Sequence, residues 1–160
     1  MALELHPPTY RDFVEIASWL PDAGTCRMWA GSDVPYPFLP AELALLLDVE
    51  RRPSFCLVNQ DDPPLGFGQY GMRTSTIVHL SRIIVSPKER WKGLGQLMCK
   101  MLLEKAFAET HAVAASLRVY RENEVALAAY KKLGFQPVED GSDAEVLFMV
   151  AEKHFGQALG

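Results

Sequence analysis

The chain has 160 residues, of which 49% are hydrophobic and 22% charged, and a formal net charge of −4. Those values fit one globular domain with a substantial core, and the negative balance excludes a nucleic-acid binder that relies on bulk positive charge. No apolar run approaches the ~20 residues of a membrane span, and the N-terminal MALELHPPTYRDF lacks the basic and apolar regions of a signal peptide, so a cytoplasmic protein without a membrane partner is expected.

Residues 2–6 read as a short first strand ended by Pro7 and Pro8. Thr9 and Asp12 have capping-box spacing, and Phe13, Ile16, Ala17 and Leu20 form a helical stripe that ends at Pro21. Residues 22–39 read as irregular, with glycines, prolines and the aromatics Trp29, Tyr36 and Phe38. Pro40 suits the first turn of a second helix that buries Leu43, Leu46 and Leu47. Residues 54–58 and 65–72 form two strands around the turn signal at 59–64, and residues 76–85 form the next, long strand. A helix to about Thr110, a strand at 113–119, a helix after Asn123 and a closing pair of strands at 135–139 and 145–151 complete the order. Within the last helix Val125, Ala126, Ala129, Tyr130 and Leu133 share one face, with Asn123 as N-cap and Gly134 as C-cap. The order describes one α/β domain of the α+β kind, residues 1–160, with a largely antiparallel sheet.

Residues 80–103 carry the clearest chemistry. The β-branched run Ile83, Ile84 and Val85 is closed by Pro87, which cannot donate to a strand ladder. A polar segment then reaches Gly93-Leu94-Gly95, after which Leu94, Leu97, Met98, Met101 and Leu102 follow helical spacing. A helix that starts behind glycines presents unpaired N–H groups and a positive dipole end, and Arg90 and Lys92 add charge beside them. The stretch is therefore an anion site or an ordinary strand-to-helix connection. Gln96 and Leu97 after Gly95 exclude a P-loop, and Met98 stands where a dinucleotide fingerprint needs its third glycine.

The pattern Arg90-x-x-Gly93-x-Gly95, between strand and helix, resembles the pyrophosphate loop of the GCN5-related N-acetyltransferase (GNAT) family. Asn123-x-x-Ala126-x-x-x-Tyr130-x-x-x-Gly134-Phe135 resembles that family's second signature, so the likeness covers roughly the last two-thirds of the chain. The resemblance implies a mixed, mostly antiparallel sheet of six to seven strands with about four helices, in which strands four and five are parallel and splayed. It implies acetyl-CoA as co-substrate and no metal. Backbone groups of Ile83, Ile84 and Val85 would pair with the pantetheine arm, and amides of Arg90, Trp91, Lys92, Gly93, Leu94, Gly95 and Gln96 would wrap the pyrophosphate. Asn123 would touch the cofactor arm, and Tyr130 would act as general acid toward the departing thiolate. The acceptor would be a primary amine of a small molecule or peptide, its oxyanion met by a backbone amide near Ile84. A homodimer is compatible with this.

Other readings of the same residues stay open. By position Tyr130 is also a core tyrosine, and Asn123 is a helix cap whatever else it touches. Trp29, Tyr36 and Phe38 with Asp33 suit an aromatic, slightly acidic amine pocket, or the three aromatics close the core from a loop. No general base is identified: His79 is a lone strand histidine, Glu122 and Glu124 are equally well solvated side chains, and Arg82 stands where some family members carry an acid. Cys26, Cys56 and Cys99 read as reduced thiols without zinc-ligand spacing to any histidine. A non-catalytic acyl-CoA-binding domain and a nucleotide-binding module are the competing functions.

Overall fold

The computed structural model describes residues 2–90 and 92–153. Seven strands form one sheet in the order β1-β2-β3-β4-β5-β7-β6. The strands are β1 (Leu3–His6), β2 (Ser54–Asn59), β3 (Gly66–Met72), β4 (Ile77–Val85), β5 (Ala114–Tyr120), β6 (Gln136–Val138) and β7 (Val146–Glu152). All neighbours are antiparallel except β4 and β5, which run parallel. The mostly antiparallel sheet with a parallel fourth and fifth strand is thus the one expected.

Helices α1 (Tyr10–Ala17), α2 (Ala23–Ala30), α3 (Leu43–Leu46), α4 (Leu94–Glu109) and α5 (Glu124–Lys132) cover the sheet. The capping box of α1 forms as read: Asp12 N–H donates to Thr9 Oγ1 at 3.3 Å and Thr9 N–H to Asp12 Oδ2 at 2.8 Å. Helix α2 corrects the irregular reading of residues 22–39. Asp22 caps it, accepting the Thr25 N–H at 2.7 Å, and Gly31 ends it at φ 64°. Only Cys26 and Ala30 of this helix are buried, so its apolar signal was too sparse to see. The helix expected after Pro40 is one 3₁₀ turn, Pro40–Glu42, running into the single turn of α3.

Two apolar layers hold the sheet. On one face Cys99, Leu102, Leu103 and Ala106 of α4 pack on Val78 and Leu80 of β4 and on Ala115, Leu117 and Val119 of β5. On the other, Phe13 and Ile16 of α1, Cys26 of α2 and Leu43 of α3 pack on Cys56, Val58, Phe67 and Ile84. Burying each such side chain is worth about 1.5–3 kcal/mol. The second layer includes no described residue of β5 or β7, so on that face no described helix lies over the C-terminal half of the sheet. Gly68 lets α4 approach the sheet closely: a Cβ there would lie 2.9 Å from Leu102 Cδ2 and 3.2 Å from Met98 Cε.

Candidate acetyl-transfer site

The parallel ladder between β4 and β5 is short. It pairs Ile77 with Ala114, Val78 with Ala115 and His79 with Ser116, and nothing beyond. β4 continues to Val85 and β5 to Tyr120, so from His79 onward the two strands part and leave main-chain groups of β4 facing a gap. A bulge marks the wall of that gap. Phe67 pairs with Ile84 and Gln69 with Ser81, so Arg82 and Ile83 together oppose Gly68. Arg82 takes a left-handed backbone at φ 53°.

Distant side chains hold the bulge. Trp29 Nε1 donates to Arg82 O at 2.8 Å. The Arg82 guanidinium donates to Gln69 Oε1 at 3.0 Å and to Asp33 Oδ2 at 2.9 Å. Gln69, fully buried, donates in turn to Leu47 O and Ser54 Oγ, both at 2.8 Å. Of the residues read as an amine pocket, Trp29 and Asp33 therefore meet at this bulge. Tyr36 instead donates its hydroxyl to Pro21 O at 2.8 Å and packs edge-on against Phe38.

Below the gap the chain turns through Pro87–Glu89 toward α4. Gly93 sits at φ 76° with nothing within 4 Å of a Cβ position, and it is the N-cap of α4 without any side-chain cap bond. The first amides of α4, including those of Leu94, Gly95 and Gln96, are therefore left for an external acceptor. Arg90 is exposed, whereas Lys92 Nζ is tied to Glu89 Oε2 at 2.8 Å. Trp91 lies outside the described residues. Ile83 and Val85 are half-buried and Ile84 buried at the end of β4. These residues meet at one end of the parting strands.

Across the gap, α5 presents Asn123 and Tyr130. Asn123 caps the helix, its Oδ1 accepting the Ala126 N–H at 3.3 Å. Gly134 at φ 100° closes it, with Phe135 N–H donating back to Tyr130 O at 3.1 Å. The Tyr130 ring meets Phe135 edge-on at 6.1 Å and packs against the α4 layer. Its hydroxyl donates to no other described residue. The residue is half-buried, and burial of the phenol, and secondarily the Cys99 thiol beside it, raises its pKa above the ordinary value. Tyr130 is therefore protonated throughout the working range.

A sheet parting beside an uncapped, glycine-started helix is an opening for an extended ligand that ends in an anion. The sequence model of the acetyltransferase (GNAT) family matches residues 15–135. The chain belongs to that family. It is an N-acetyltransferase domain by family, and the unpaired β4 edge and open α4 amides fit an acetyl-CoA cofactor.

Solved structures agree in fold. N-acetyltransferase PaiA from Thermoplasma acidophilum, in complex with coenzyme A, aligns at a TM-score of 0.70 and 17% identity over 96% of this chain and 100% of that one. The aminoglycoside acetyltransferase AAC(6')-Ib with ribostamycin and coenzyme A aligns at 0.74 and 18% identity, covering 96% of this GNAT domain and 94% of that chain. The spermidine/spermine N-acetyltransferase SpeG from Vibrio cholerae aligns at 0.70 and 18% identity over 94% and 95% of the two chains.

Residues that the sequence did not single out complete the site. Ser116 is fully buried and joined to His79 Nδ1 at 2.8 Å. The Ser81 hydroxyl, on the strand that walls the gap, is buried with no hydrogen-bond partner among the described residues. Gln69 and the Arg82 backbone shape the bulge. Only the three-dimensional pairing of β3, β4 and β5 brings these together.

Proposed function

We propose that this GNAT domain acetylates a primary amine by direct attack within the gap between β4 and β5, in the cytoplasm. The observation that carries the reading is the parting of the two strands beyond His79 and Ser116, with the open amides of α4 beside Val85 at the far end of the unpaired β4 segment. Bound acetyl-CoA supplies an activated thioester carbonyl. The free edge of Ile83, Ile84 and Val85 offers main-chain donors and acceptors to the amide-bearing cofactor arm, as a neighbouring strand would. Residues 90–96, among them Arg90 and Lys92, take the pyrophosphate at the positive end of α4. Asn123 keeps its capping bond and turns its remaining donors toward the arm.

Tyr130 donates its proton to the departing sulfur. Its raised pKa leaves it always in the donating form. The amine nitrogen gains the acetyl group and gives up a proton, and the sulfur leaves as a thiol. The acceptor enters from the opposite face of the sheet, where Trp29 and Asp33 border the approach at the bulge.

Thiol release from acetyl-CoA over a panel of amines tests the reading. Coenzyme A at a hundredfold excess over Kd should add about 2.7 kcal/mol to stability in a melting scan. An unshifted melt would remove the donor site, and a shifted melt without thiol release for any amine would leave a binding domain.

A further inference from the structure

The face of β4, β5 and β7 that no described helix covers carries positive charge that the donor site does not use. Arg118 lies two residues beyond Ser116 on β5 and pairs in register with Phe148 of β7, so the three share this face. Arg73 reaches the same ring from the β3–β4 turn. Its Cζ stands 4.5 Å from the Phe148 centroid, and that of Arg118 stands 5.6 Å from it. Arg52 runs along Gly71, its Cγ 3.9 Å from where a Cβ would stand, and Gly71 is the cross-strand partner of His79. Arg82 closes the group from the bulge.

Four arginines thus surround the point where β4 and β5 part, in a chain whose net charge is −4. Two of them converge on one phenyl ring. Carboxylates do not balance them. The ion pairs among the described residues leave Arg52, Arg73 and Arg118 without a bridging acid. Asp33 is bound to Arg82, and Asp48 also acts on Arg82. Asp143 acts on Arg118 from a turn in which its Oδ1 already accepts the Glu145 and Val146 N–H groups at 2.8 and 2.7 Å. The field reaches His79, whose pKa falls to about 4 through burial first and then through Arg73, Arg118, Arg52 and Arg82. His79 is therefore neutral and adds no charge of its own.

We propose that this surface binds the negative group of the acceptor, so that the amine acetylated here also carries a carboxylate or equivalent oxyanion, as an α-amino acid does. The inference rests on the acetyl-transfer reading and names its substrate class. Guanidiniums on Phe148 offer paired donors to a carboxylate, held flat by the ring. An acceptor anchored there directs its nitrogen toward the gap beside His79 and Ser116. The same arginines disfavour the ammonium form of that nitrogen, which eases loss of its proton where no strong base stands. A polycationic acceptor meets repulsion on the same surface.

Matched acceptors decide the matter: α-amino acids against the amines that differ from them only by loss of the carboxylate, with spermidine as a polycation. Thiol release should favour the acid member of each pair. Arg73→Gln and Arg118→Gln should each raise KM for the acid member about tenfold or more, as expected for one charge-assisted hydrogen bond. KM for acetyl-CoA should not move, and Lys132→Gln, on the far end of α5, should change neither. Equal use of both members, preference for spermidine, or an unchanged acid KM in the two arginine variants overturns the proposal while acetyl transfer stands. If no acceptor releases thiol, calorimetric titration of the same amino acids into coenzyme A-loaded protein separates the two readings. Heat that is lost in Arg73→Gln keeps the anion site and removes the transfer reading, and absent heat removes both.

Discussion

His79 and Ser116 form the last pair of the β4–β5 ladder, and a 2.8 Å hydrogen bond between His79 Nδ1 and Ser116 Oγ spans the point where the strands part. The bond fixes the vertex of the gap from the face opposite α4 and α5. Each partner satisfies the other where Ser116 is fully buried and His79 half-buried, so the position of the vertex depends on the bond.

The first prediction concerns acid. The pKa of His79 falls from 6.5 to about 4 on folding, chiefly through burial. Between those values the unfolded chain binds the proton more readily than the native one. Stability from this group is therefore full above about pH 6.5 and declines as pH drops toward 4, by at most about 3 kcal/mol. Urea midpoints at pH 5 and pH 7.5 should differ more for the wild type than for His79→Gln, whose amide cannot titrate. Equal pH dependence in both would place the acid sensitivity elsewhere.

The second concerns the bulge. Gln69 Oε1 is buried and accepts from the Arg82 guanidinium at 3.0 Å. Arg82→Leu keeps much of the bulk but leaves that oxygen unpaired, at a cost of about 1–3 kcal/mol. Asp33→Asn touches an exposed partner of the same arginine and should cost well under 1 kcal/mol. Denaturant unfolding of the two variants measures the contrast. A larger loss for Asp33→Asn would make the exposed ion pair, not the buried amide, the anchor of the bulge.

Sequence and structure diverge at identifiable places. The strand, loop and helix around Gly93 and the helix from Asn123 to Gly134 were legible because the information is local: a proline stop, apolar spacing, a side-chain cap, and glycines at φ 76° and 100°. The bulge was not. Arginine has no preference for the left-handed conformation, and Arg82 is held there by partners 13, 49 and 53 positions away. Likewise, Arg52, Arg73, Arg82 and Arg118 come from separate segments, so no spacing in the chain announces that they converge. Helix α2 was hidden because Gly24 and Thr25 are poor helix formers in its first turn.

The third prediction separates chemistry from packing at Tyr130. The hydroxyl bonds to no other described residue, so Tyr130→Phe should leave unfolding midpoints and the Kd of coenzyme A nearly unchanged. Loss of the proton donor should lower kcat about a hundredfold. Because burial raises the phenol pKa above 10.0, an alkaline limb in the wild-type kcat below pH 10 would belong to another group. Unchanged turnover in Tyr130→Phe at saturating acceptor would take the residue out of the reaction.

The fourth uses the two loop glycines against each other. Gly93 adopts φ 76° with no atom within 4 Å of a Cβ position, so Gly93→Ala clashes with nothing and pays only for the left-handed backbone, about 1–2 kcal/mol. Gly95 lies within α4, where a Cβ would make ordinary contact with Val85 Cγ2 at 3.9 Å. Gly95→Ala should therefore leave stability unchanged or raise it slightly, since alanine favours a helix. If the first turn of α4 receives a pyrophosphate, the added methyl obstructs the approach to its amides, and the Kd of coenzyme A should rise at least tenfold without any loss of fold. Gly93→Ala should weaken stability and binding together. Melting scans with and without coenzyme A read both quantities in one experiment. A Gly95→Ala protein that binds coenzyme A as tightly as the wild type would move the anion away from the start of α4.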